Sequence, residues 1–98
     1  MHDLRFEWDA KKDKQNRRKH GVSFGEAESI FTDEYALLLD DPEHSNGEDR
    51  FVLLGLSARL RILVVVHAYW EHHGVIRIIS ARKATRKERD IYNQRWTR

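Results

Sequence analysis

Five aliphatic residues in a row, Ile62-Leu63-Val64-Val65-Val66, constrain the fold of this chain more than any other feature. Successive side chains of a strand leave on opposite faces, so a half-buried strand alternates apolar and polar residues. This run does not alternate. It reads as the middle of a strand over 61–70 that is covered on both faces, the place of a central strand. Its neighbours in sequence are strand-like too. Phe51–Leu56 precedes it across the short connection Ser57-Ala58-Arg59-Leu60, which predicts a tight hairpin. After the turn Glu71–Gly74, the residues Val75, Ile76, Ile78 and Ile79 mark a last strand over 75–82.

Leu4 to Trp8 alternates apolar and charged residues and predicts a short, half-buried first strand. Asp9 has the character of an N-cap for a helix running to about His20, with Gly21 at the position after its end. That helix has almost no apolar face: Lys11, Lys12, Lys14, Arg17, Arg18 and Lys19 surround Asn16. A helix polar all round bridges solvent or holds something charged, although cations in its last turn also agree with the helix dipole. Ser23 and Glu26 have capping-box spacing and open a short helix whose stripe is Phe24, Ala27, Ile30 and Phe31. Tyr35–Leu39 reads as a strand, and Pro42 falls in the polar loop 40–49. Thr85 and Glu88 form another capping box at the start of a closing helix, about Arg86–Arg95, with Ile91 and Tyr92 docking on the sheet. The predicted order is β-α-α-β-β-β-β-α in one domain over residues 1–98: the α+β class, an antiparallel sheet with helices packed on it.

There is no cysteine, which excludes disulfides and thiolate–zinc sites. No stretch approaches 18 consecutive apolar residues, and the polar N-terminus does not have the form of a signal peptide, so a soluble cytoplasmic protein is expected. The net charge of +2 hides a segregation. Residues 1–20 hold seven of the eighteen Lys and Arg, and residues 82–98 hold seven more, whereas 26–49 hold nine of the sixteen acids and neither Lys nor Arg. Either the acidic middle pairs with the basic helices, or one face is strongly positive and attracts anions.

The last quarter sharpens the second reading. Arg82, Lys83, Arg86 and Lys87 crowd the start of the closing helix, where cations oppose the macrodipole at roughly 0.3–1 kcal/mol each. An anionic partner such as phosphate accounts for charge placed there. Arg61 and Arg77 lie within strands and Arg82 ends one, offering forked donors for a phosphate-binding face. His67 sits in the apolar strand, where its imidazole is either a satisfied core group or a catalytic one. His72 and His73 beside Glu71 do not have the convergent geometry of a metal site, and no metal or cofactor is expected. Glu88 is assigned to the cap of Thr85 ahead of any role as a base.

Taken in order, several strings resemble the BrnT family of type II toxins, which have a RelE-like ribonuclease fold. They are FEWD (Phe6–Asp9), Asn16, KHGVSF (Lys19–Phe24), Glu48 to Arg50, RIISAR (Arg77–Arg82), Ala84-Thr85, Glu88-Arg89 and Tyr92. The resemblance spans nearly the whole chain. It implies a ribosome-independent, metal-independent endoribonuclease that inhibits translation. It also implies a cognate BrnA-type antitoxin with a ribbon-helix-helix domain, the pair binding operator DNA jointly. Metal-free RNA cleavage needs a base for the 2′-OH, cations for the phosphorane and an acid for the 5′-oxygen. The candidates are Arg61, Arg77 and Arg82, assisted by Lys19, for the charge, and His20 or His67 for proton transfer, since imidazole titrates near neutral pH. Lys83, Arg86 and Lys87 are candidates for binding RNA. The other reading of the same charges is a nucleic-acid-binding module without catalysis, acting in transcriptional regulation.

Overall fold

The computed structural model describes residues 4–39, 50–70 and 74–95. The turn with Glu71, His72 and His73, the loop with Pro42 and His44, and Glu48 lie outside them. The elements are β1 (Arg5–Glu7), α1 (Ala10–His20), α2 (Phe24–Ser29), a 3₁₀ turn (Ile30–Thr32), β2 (Leu37–Leu39), β3 (Arg50–Leu56), β4 (Ile62–Trp70), β5 (Val75–Lys83) and α3 (Arg86–Asn93). The five strands form one sheet in the order β1-β5-β4-β3-β2, with β4 at its centre.

The aliphatic run behaves as its lack of alternation requires. Leu63 and Val65 enter a core with Val22, Phe24, Ala27, Ile30, Ile78 and Ala81, beneath α1 and α2. Ile62, Val64 and Val66 enter a second core with Val52, Leu54, Ala84 and Tyr92, beneath α3. One strand thus feeds two apolar layers, each buried side chain contributing about 1.5–3 kcal/mol.

The expectation of an antiparallel sheet is corrected. The sheet is mixed, not antiparallel: β2, β3, β4 and β5 pair antiparallel, but β1 lies parallel to β5, with Phe6 opposite Ile76. Alternation identifies a strand without giving its direction, and β1 is placed at the edge by Phe6, whose ring meets Phe31 edge-on at 5.1 Å.

The helix ends follow their caps. Asp9 accepts from the N–H groups of Lys11 and Lys12, and Gly21 closes α1 in the left-handed conformation at φ 69°. Thr85 and Glu88 complete a reciprocal capping box. Ser23 accepts from the Glu26 N–H, but the Glu26 side chain turns elsewhere, so that box is half formed. Tyr92 is buried at 2 % exposure and donates its hydroxyl to Asp33 at 2.6 Å, whereas Ile91 stays 38 % exposed instead of docking.

With no apolar stripe, α1 is held by a buried amide. The Asn16 side chain donates to the Val22 and Ala81 carbonyls, both at 2.8 Å, and accepts from the Ala81 N–H. Asp13 adds an acceptor for the Phe24 N–H. Replacing Asn16 by Ala removes three hydrogen bonds and strands backbone groups in the core. Urea denaturation is expected to show a loss of about 3 kcal/mol, whereas replacing the neighbouring exposed Gln15 by Ala is expected to change stability by less than about 0.5 kcal/mol.

Candidate nucleic-acid interface

The register of β4 and β5 decides where the cations go. Leu63 pairs with Lys83, and the Ala84 N–H continues the ladder to the Ile62 carbonyl. The end of β5, the start of β4 and the start of α3 therefore share one end of the sheet. The β3–β4 turn, 57–61, closes that end, and Arg61 reaches the Gly21 carbonyl at the close of α1 with a 3.1 Å hydrogen bond. Lys19, His20, Arg59, Arg61, Lys83, Arg86 and Lys87 consequently lie on elements that meet at one rim. Lys19, Arg59, Lys83, Arg86 and Lys87 are exposed there and His20 is half-buried.

Arg61, Arg77 and Arg82 do not form a single cluster. Arg61 belongs to the α1–α2 side, where its Nε donates to Glu26 Oε2 at 2.9 Å and its Nη2 to Glu26 Oε1. Ser57 Oγ also donates to Glu26, whose side chain is 4 % exposed. The Arg61 guanidinium, followed by the Ser57 hydroxyl, outweighs burial and lowers the Glu26 pKa. Arg82 is on the α3 side and makes a forked pair with Glu88, at 2.7 and 2.9 Å. That pair, strengthened by the Thr85 N–H, draws the Glu88 carboxyl down to about 2. Glu88 is therefore an ionised anchor, unsuited to taking a proton near neutral pH. Arg77 pairs with Glu7 on β1 at 3.0 Å.

Arg77 and Arg82 are five positions apart, an odd spacing that puts side chains on opposite faces of a regular strand. A bulge intervenes: Val66 pairs with Ser80 and His67 with Ile78, leaving Ile79 as the extra residue. Arg77 then stands opposite Ala68 and Arg82 opposite Val64, so both face the α3 side. They remain roughly 15 Å apart along the strand. His67 points the other way. It is 6 % exposed, with Phe31 edge-on at 4.9 Å and Phe51 at 6.0 Å. Burial lowers its pKa, against the weaker opposing effect of the Val65 carbonyl.

A scan against protein-family models matches residues 8–88 to "Ribonuclease toxin, BrnT, of type II toxin-antitoxin system". The chain belongs to the BrnT family of ribonuclease toxins. Family membership carries with it an antitoxin partner. Among solved structures, the fold is similar to that of the Brucella abortus ribonuclease toxin BrnT, with a TM-score of 0.66 at 23% identity, covering 86% of this chain and 100% of that one. A search of curated proteins finds no match. No helix among the described residues is long and apolar enough to cross a membrane.

Two features of this BrnT-family rim escape a reading of the sequence. Nothing local shows that Glu26 turns from its cap to hold Arg61, because the two are thirty-five residues apart. The bulge at Ile79 likewise leaves no proline or glycine marker. The Arg59 and Leu60 positions could have been found: a four-residue connection between two long strands exposes its tip.

The pairings separate the arginines by their effect on folding. Arg61→Ala leaves a buried Glu26 without its cation and is expected to cost about 3 kcal/mol in chemical denaturation. Arg77→Ala breaks an open surface pair and is expected to cost less than about 1 kcal/mol. His67 carries a pH dependence. It is neutral in both states above its unfolded value of 6.5, but below that value the unfolded chain binds a proton that the native core resists. Stability is expected to fall as pH drops below about 6.5, by up to about 1.4 kcal/mol per unit. Denaturation curves of His67→Phe between pH 5 and 7 are expected to lose that component.

Proposed function

We propose that this BrnT-family toxin is a ribosome-independent, metal-independent endoribonuclease with a RelE-like mode of action, inhibiting translation by cutting RNA in the cytoplasm. The observation that carries the reading is the gathering of exposed Lys19, Arg59, Lys83, Arg86 and Lys87 and the half-buried His20 at one end of the sheet. Lys83, Arg86 and Lys87 bind the RNA backbone, each neutralising phosphate charge. Arg61 is pre-oriented by Glu26 and uses Nε and Nη2 in the fold, which leaves Nη1 to face an anion. Arg82 is steadied by Glu88 in the same way, and Lys19 adds charge in the last turn of α1, whose end Arg61 meets. Such fixed donors stabilise a phosphorane without reorganising.

In the proposed reaction the 2′-oxygen attacks phosphorus, its proton passes to a base, and the P–O5′ bond breaks. The 5′-oxygen takes a proton from an acid, leaving a 2′,3′-cyclic phosphate and a 5′-hydroxyl. His20 is the imidazole at the rim and takes the proton-transfer role. His67, enclosed between Phe31 and Phe51, is given a packing role, and Arg77, toward the far end of β5, extends the positive track. The partner that silences the toxin is a BrnA-type ribbon-helix-helix antitoxin, and operator DNA is bound through that complex.

The test is cleavage of end-labelled RNA by purified protein in EDTA. Cleavage with 2′,3′-cyclic phosphate ends, and none on DNA of the same sequence, is the expected result; equal cutting of a 2′-deoxy substrate would overturn the mechanism. His20→Ala is expected to lower kcat by about 10²-fold or more. Lys83→Ala and Lys87→Ala are expected to raise KM and flatten its salt dependence. Salt-sensitive RNA binding without products would favour the non-catalytic, regulatory module.

A further inference from the structure

The most exposed large apolar side chain among those described is Leu60, at 80 % exposure. Its backbone is left-handed, with φ 63°, the one such non-glycine residue among the described ones. Leucine disfavours that conformation, and glycine or asparagine adopts it more readily. Leu60 is therefore unfavourable twice, through exposed apolar surface and through backbone strain, and it adds no packing in return.

The turn that presents it is rigid. Ser57 N–H donates to the Arg61 carbonyl at 2.8 Å and Leu60 N–H to the Ser57 carbonyl at 2.9 Å. Ser57 Oγ accepts from the N–H groups of Arg59 and Arg61, and the Ala58 N–H is held by Ser29 Oγ at 2.8 Å. Backbone strain persists where the surroundings over-determine it, and such places are enriched in binding and catalytic sites. On either side of this tip stand Arg59, which is exposed, and Arg61, whose pairing with Glu26 fixes the base of the turn.

We propose that Leu60 is a nucleobase contact of this chain: an apolar wedge that packs on an RNA base while the cations around it hold the flanking phosphates. The proposal rests on the RNA reading above and assigns the residue that sets where on the RNA the protein sits. An apolar tip flanked by Arg59 and Arg61, at the end of the sheet where Lys83 closes β5 and α3 begins with Arg86 and Lys87, matches a ligand with apolar faces strung on a polyanion. Phosphate contacts alone carry no sequence information, whereas leucine is among the side chains that proteins insert against base steps. A contact to a base face by one rigid side chain gives preference for an unstacked, single-stranded position, as RNA readers generally require.

The test pairs cleavage mapping with a binding readout that needs no catalysis. A single-stranded 2′-O-methyl RNA carrying 2-aminopurine at successive positions reports contact with its bases by fluorescence. The wild-type protein is expected to change the signal at one or two positions, and Leu60→Asn, which suits the left-handed backbone, to lose at least half of that change. The same variant is expected to melt no lower than wild type, to raise KM for cleavable RNA several-fold, and to spread cuts over more sites; Leu60→Met is expected to retain the wild-type pattern. A Leu60-dependent signal in a protein that never cuts RNA supports the base contact while removing the nuclease reading. An unchanged signal and cut pattern in Leu60→Asn would overturn the proposal. So would normal cutting by that variant with loss of inhibition by the cognate antitoxin, which would assign Leu60 to the protein partner. A wild-type chain that does not bind the RNA overturns it as well.

Discussion

A helix without an apolar stripe cannot be seated by the hydrophobic effect, and α1 is seated instead by the Asn16 amide. One buried side chain brackets the backbone of Val22 and both polar groups of Ala81. Much of the cationic rim depends on that bracket. It fixes the height of α1 on β5, and so the place of Gly21, whose carbonyl receives Arg61. It also leaves the lysines and arginines of α1 free of packing duty, turned outward along a helix whose last turn favours positive charge. In a low-dielectric core the three hydrogen bonds are stronger than at the surface, and for the same reason an incomplete set there is costly.

The charge economy of the molecule follows a second rule. Arg61, Arg77 and Arg82, three of the cations borne on or beside the long strands, each have a carboxylate partner in Glu26, Glu7 or Glu88. Of the exposed cations at the rim, Lys83 ends β5, Arg59 lies in a turn, and Lys19, Arg86 and Lys87 lie at helix ends. Arginine holds a fixed forked geometry and lysine is a mobile point charge, so the division suits one set to orientation and the other to attraction. The crowding of cations at the start of α3 is also less unfavourable than the sequence suggests. Arg82 is neutralised by Glu88, whose carboxylate stands in the first turn where the helix dipole favours it.

Much of this was legible in the sequence. The uninterrupted aliphatic run required a central strand with both faces covered; the caps at Asp9, Ser23 and Thr85 and the stop at Gly21 located the helices; the segregated charge marked the two basic termini. These are local or periodic signals, and local chemistry suffices to read them. The direction of β1 was not legible, since alternation is the same read either way. Nor was the diversion of the Glu26 side chain from cap to ion pair, because its partner is distant in sequence and the capping-box spacing offered a sufficient local use.

By itself, then, the sequence determined which segments are strands and helices, which strand lies in the middle, and that positive charge gathers at both termini. The tertiary structure alone decided which charges meet. The ladder between β4 and β5 brings Lys83 level with the start of β4, Asn16 and Arg61 bring the end of α1 to the same place, and the bulge at Ile79 turns Arg77 to the face that Arg82 shares. The physical reason is common to all three. Register and bulges are settled by packing and hydrogen bonding between segments far apart in the chain, and one residue of slip moves a side chain to the other face of the sheet.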